Sequence, residues 1–96
     1  MYTTKQIWYR NYNYKCSFIV CYEMGCVFPK FGQITEFIIL DESICVLVLK
    51  ELNVEYFDNH LFAYKVKIHE DSFKLVNVRN LAIHDCMELQ QNIIFD

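Results

Sequence analysis

Cysteine and histidine are the first residues to test for chemistry, since the chain holds five of one and three of the other. Cys16, Cys21 and Cys26 follow one another at intervals of five. A structural zinc site needs a close pair of ligands and then a second pair at similar spacing. The second pair is missing, because His60, His69 and His84 stand nine and fifteen residues apart. On a strand, an offset of five also points Cys16 and Cys21 to opposite faces. The plain expectation is no metal, with these thiols acting as small apolar side chains. His84, Asp85 and Cys86 imitate a catalytic triad in miniature, but adjacent side chains diverge and cannot align in series. Asp85 is expected to make a turn there. Glu23, Glu36, Asp41, Glu42 and Glu51 fall at expected turns or solvated faces, and no two of them form an acid/base pair. Two glycines in 96 residues scarcely build a phosphate cradle. The expectation is a protein that is not an enzyme and carries no cofactor.

Two segments have the texture of recognition surfaces. In the first, Tyr2, Trp8, Tyr9, Tyr12 and Tyr14 interleave with Lys5, Arg10 and Lys15, and no acid precedes Glu23. Rings that stack, set among cations that meet phosphate, suit single-stranded nucleic acid. Trp8, Tyr9, Arg10, Tyr12 and Lys15 are the candidate contacts. The competing reading makes the segment a strand that covers one end of the fold. In the second, Asn53–His60, Tyr56, Phe57, Asp58 and His60 form a candidate aromatic, acid-edged loop pocket. Such a pocket attracts a methylated cation through ring faces and carboxylates. The competing reading has Phe57 plug the fold while Asp58 and Asn59 make a turn.

These groups need strands to position them. From Leu61 to His69, Phe62, Tyr64, Val66 and Ile68 alternate with Ala63, Lys65, Lys67 and His69, the period of a half-buried strand. Glu70–Ser72 then reads as a turn and Phe73–Leu81 as the returning strand, whose parity break at Leu75–Val76 suggests a bulge. Phe31–Leu40, a turn at Asp41–Ser43 and Ile44–Leu52 read as an earlier hairpin. Its second strand is apolar on both faces and is expected to be central. Gly32 marks a bulge or a close backbone approach. Lys15–Glu23 reads as the first strand, Met24–Lys30 as a connection, and Asn53–His60 as the longest polar link between hairpins. Beyond Leu81, Ala82–Asp85 suits a 3₁₀ turn, and residues 86–95 suit short final strands or a short helix over 85–94. Together these predict an all-β fold: a small, partly open, SH3-like barrel of five or six antiparallel strands. Residues 1–14 would form a basic aromatic arm and residues 15–96 the single domain.

Composition agrees. Apolar and aromatic residues make up 54% of the chain, and charged residues 22%, which gives ample surface to bury and argues against disorder. Residues 1–30 carry four cations against one acid, a net of +3, and residues 31–96 five against eleven, a net of −6. No run approaches the roughly 18 apolar residues that span a bilayer, and the N-terminus has no apolar core of a signal peptide. Unexported cysteines read as reduced thiols, so an intracellular protein without a membrane anchor is expected.

The strand order also carries a resemblance. Gly32 and Ile34, then His60, Ala63, Tyr64 and Val66, then Leu81 and His84 match a β-rich C-terminal region of transposon-associated animal proteins. The likeness spans about residues 25–90 and departs at Cys86-Met87, where that region has a proline-leucine step. It implies an accessory module within a longer protein and supplies no catalytic residue. The expected role is an interaction module whose strand edges and aromatic loops meet a protein partner or a parent-chain domain. Binding of nucleic acid by the arm is the alternative.

Overall fold

The apolar segments pair as strands, and bulges rather than turns handle most changes of phase. A computed structural model describes residues 1–83 and 90–95. They form β1 (Tyr2–Thr4), β2 (Gln6–Tyr9), β3 (Tyr12–Lys15), β4 (Ile19–Glu23), β5 (Lys30–Asp41), β6 (Ile44–Asp58), β7 (Ala63–Asn77) and β8 (Ile93–Phe95). A 3₁₀ turn at Val78–Asn80 follows β7, slightly ahead of the expected Ala82–Asp85. Of the two readings for the C-terminus, a short final strand is present at Ile93–Phe95, and residues 84–89 lie outside the described residues. The fold is all-β, as expected. Its six-stranded sheet runs β1-β5-β6-β7-β8, with β4 sharing the same β5 partner as β1, and it does not close. Pairing is antiparallel except between β7 and β8, where Tyr64, Lys65 and Val66 lie parallel to Ile93, Ile94 and Phe95.

Four expectations are corrected here. Residues 1–14 are not a separate arm: β1 pairs with β5, and β2 and β3 form a hairpin that lies on the sheet. Arg10 and Asn11 link its strands with φ of 50° and 69°, the positive values that a type I′ turn requires at both central positions. The expected first strand breaks at Ser17 (φ 76°), where the Phe18 amide donates to the Lys15 carbonyl and turns the chain. The segment Asn53–His60 is not a loop, because β6 runs on to Asp58 and the chain reverses only at 59–62. Nor is Glu70–Ser72 a hairpin turn. Leu52 pairs with Ile68 and Lys50 with Phe73, so Glu51 alone faces His69–Ser72 across a wide bulge in one continuous β7. A polar run between two apolar runs reads the same whether it reverses a strand or bulges from it.

Burial explains why β6 is apolar on both faces. Its pairing with β5 is unbroken from Leu49–Ile34 to Leu52–Phe31, so Leu49 and Leu52 point to opposite sides. On the front face Leu47 and Leu49 join Tyr14, Val20, Ile34 and Phe37 in one buried cluster beneath the β2–β3 hairpin. On the rear face Leu52 joins Ile19, Cys21, Phe31, Val66 and Ile93 in a second. A bulge at Thr35 lets Ile34 and Phe37 face the front together, and its hydroxyl donates to the Val48 carbonyl (3.0 Å). A second bulge between Val54 and Tyr56 re-phases β6 so that Phe57 meets Tyr64 on the rear. Gly32 is the close approach, since a Cβ there would sit 2.8 Å from the Cβ of Leu49. Each fully buried large side chain contributes roughly 1.5–3 kcal/mol.

Candidate functional site

The hairpin divides the candidate nucleic-acid contacts between two faces. Tyr9 is opposite Tyr12 and Ile7 opposite Tyr14, and all four turn inward against the front cluster. Trp8, opposite Asn13, turns outward and is 73% exposed, and Lys15 lies outward beside Gln6. Arg10 sits in the turn with its guanidinium 5.4 Å from the centre of the Tyr9 ring. Of the three rings named as contacts, one is presented to solvent.

The loop pocket is not assembled either. Tyr56 pairs with Lys65 and Phe57 with Tyr64, so the two rings alternate across β6. Phe57 packs edge-on against Tyr64 (4.9 Å), which also meets Phe31 (5.3 Å) and Phe28 (6.2 Å). The Asp58 carboxylate accepts from the amides of His60 (2.9 Å) and Leu61 (3.1 Å) and so builds the turn. His60 is exposed. Phe62, at φ 51°, is an exposed aromatic in a backbone region that bulky residues rarely adopt.

Cys16, Cys21, Cys26 and Cys45 are free thiols in separate places, and burial pushes the Cys21 and Cys45 thiols up. No group of three or more metal-ligating side chains occurs among the described residues. Cys86 and its neighbours His84 and Asp85 lie outside them.

A polar cluster does form where sequence spacing gave no signal. The bulge in β7 delivers Ser72 and His69 to Glu51, and β4 delivers Tyr22 from the other side. Ser72 Oγ donates to Glu51 Oε2 (2.7 Å), Tyr22 Oη donates to Oε1 (3.4 Å), and Lys74 Nζ lies 3.4 Å from Oε1. His69 Nδ1 is 4.0 Å from Oε2. The Ser72 hydrogen bond, aided by Lys74, holds the Glu51 carboxyl below its ordinary value. Burial and then the Glu51 charge push the Tyr22 phenol up to about 12. Tyr22, Glu51 and Lys74 of this cluster line a groove of about 790 Å³ between the 24–29 connection and β6–β7, which the ion-paired Glu23 and Lys30 (2.7 Å) also line. Acid and phenol are each held further into their ordinary neutral-pH forms, the reverse of the tuning that proton transfer near pH 7 needs. The cluster pins the bulge.

The strand edges are largely blunted. The Gln90 side chain closes β4 by accepting from the Ile19 amide and donating to its carbonyl, both at 2.7 Å. β1 and β8 are three residues long. The outer edge of β7 is interrupted by the bulge and carries Lys67, His69, Glu70 and Lys74. Such features discourage strand addition.

The faces differ. Beyond the rear cluster, the rear half near the β5–β6 turn has no covering element among the described residues. It presents Ile38, Val46, Val48, Phe73 and Leu75, which cross-strand pairing places side by side: Ile38 with Val46, Val48 with Leu75, Lys50 with Phe73. Leu40 extends the row along β5 at 46% exposure, while Phe73 is 52% and Leu75 70% exposed. The front face at the opposite end of β6–β7 is also open, and beside the half-exposed ring of Tyr56 it bears Asn53, Lys65, Lys67 and His69. The sheet thus leaves one open half mainly polar and the other mainly apolar.

Comparison of the chain with protein-family models, with curated proteins and with solved structures gives no match. No helix among the described residues is long and apolar enough to cross a membrane.

Proposed function

We propose that the protein is a non-enzymatic interaction module, of the accessory kind that its resemblance to transposon-associated regions implies. It meets another polypeptide through the uncovered rear face of β5–β6–β7. The observation that carries this reading is the contrast between the two open half-faces. Where the sheet needs only water, it presents Asn53, Lys67 and His69 beside Tyr56; on the other half it presents Ile38, Val46, Val48, Phe73 and Leu75. The apolar half measures about 15 Å by 20 Å in the sheet plane from strand spacing and rise, the size of the largest and often functional patch on a monomer. A strand edge was the expected binding element, but the face has the larger unmet apolar surface.

The apolar dye 8-anilinonaphthalene-1-sulfonate tests the reading. The folded protein is expected to bind it, and Val48→Lys/Leu75→Lys to lose that binding with an unchanged circular dichroism spectrum. No dye binding by the parent protein, or equal binding by both, would overturn the reading.

A further inference from the structure

We infer that the outer face of the β2–β3 hairpin binds single-stranded nucleic acid. One base stacks on Trp8, and the phosphates to either side meet Lys5 and Lys15 at one end and Arg10 at the other. This face is separate from the rear face of β5–β6–β7, and the inference stands on different observations. The first is a set of cations without counter-charges. Lys30, Lys50, Lys67 and Lys74 each stand against a glutamate carboxylate, at 2.7 to 3.9 Å. Lys5, Lys15 and Arg10 form no ion pair among the described residues, and the chain has no acid before Glu23. The pairing of the hairpin nevertheless brings the two lysines together. The Cys16 amide donates to the Lys5 carbonyl (3.0 Å), and Thr4, Lys5, Gln6, Lys15 and Cys16 line one hollow that holds no acid. Like charges gathered this way favour an anion.

The second observation is the position of the ring. Lys15 is opposite Gln6 and Asn13 opposite Trp8, so Trp8 lies two residues, about 7 Å, from the Lys15 rung toward the hairpin tip. Arg10, in the turn, lies two residues further on. A ring set between cations fits a nucleotide, whose base has a phosphate on either side along the strand. The Asn13 amide donates to Gln6 Oε1 (3.4 Å), which leaves the Gln6 N–H groups for a base edge. Base faces are open to a side chain only in a single strand, so the ring selects against duplex. Tyr9 and Tyr12 turn inward and take no part. Two or three phosphate contacts on a chain of net charge −3 make the binding weak and salt-sensitive. The logarithm of the binding constant should fall against that of salt with a slope of about −1.4 to −2.1.

Trp8 is the single tryptophan of the chain, so its fluorescence reports stacking directly. Titration of the whole chain with a deoxythymidine oligomer at low salt should quench that emission, and added salt should reverse it with the slope above. Lys5→Ala/Lys15→Ala should weaken binding about tenfold or more. Trp8→Ala, followed by the anisotropy of a labelled oligomer, should weaken it about fivefold or more, the loss of one stacked base. Both variants change exposed positions, so their circular dichroism spectra should match that of the parent. No quenching at low salt would overturn the inference, and so would quenching that the lysine substitutions leave unchanged. Phosphatidylserine vesicles that shift the emission to the blue, while the oligomer has no effect, would assign the face to a membrane surface and overturn it as well.

Discussion

Glu51 is the residue on which the local chemistry converges, and its behaviour is testable by pH. Its carboxyl has a lower pKa in the fold than in the unfolded chain. Its contribution to stability is therefore complete above about pH 4.3, the unperturbed glutamate value, and is lost as pH falls through the lower folded value. Tyr22 works in the opposite range. With a phenol raised to about 12, its contribution is complete below about pH 10 and is lost as pH rises from there. Urea midpoints measured across pH should show Glu51→Gln flattening the acid limb and Tyr22→Phe flattening the alkaline limb. Absorbance of tyrosinate should show a titration near 12 that is lost in Tyr22→Phe. None of this was legible in the sequence. Glu51 reads as one more acid after an apolar run, and its partners Tyr22 and Ser72 are 29 positions before it and 21 after it. Only the bulge brings Ser72 there.

At the scale of elements, the sequence is a good guide to apolar alternation and a poor one to where polar runs reverse the chain. The strand β5, the turn before Ile44 and the central apolar stretch of β6 follow directly from pattern. Asn53–Asp58 misleads because a strand whose front face meets water at this end is as polar as a loop. The N-terminal segment misleads differently. Its alternating tyrosines suit a stacking surface and equally suit the inner face of a hairpin, and only the pairing of Tyr9 with Tyr12 and Ile7 with Tyr14 distinguishes them. That distinction has a measurable consequence. Tyr14 is fully buried in the front cluster, so Tyr14→Ala should cost about 3–5 kcal/mol of folding free energy by urea denaturation. Trp8→Ala, on the outer face, should change it by no more than about 0.5 kcal/mol. A small cost at Tyr14 would mean that the hairpin is dispensable to the fold after all.

Across the whole molecule, two apolar clusters sit on opposite faces and at opposite ends of one sheet, so each face is half covered. This follows from the double-sided apolar sequence of β6, though the sequence does not say which halves are covered. The remaining half-faces carry the functional argument, since one is mainly polar and the other mainly apolar. The most direct measurement is the set of methyl shifts that 8-anilinonaphthalene-1-sulfonate induces in the parent protein. Shifts confined to Ile38, Val46, Val48 and Leu75, with Val54 and Val66 unmoved, are the predicted result. Methyl spectra that do not change with added dye, or changes centred on Val54 and Val66, would contradict it.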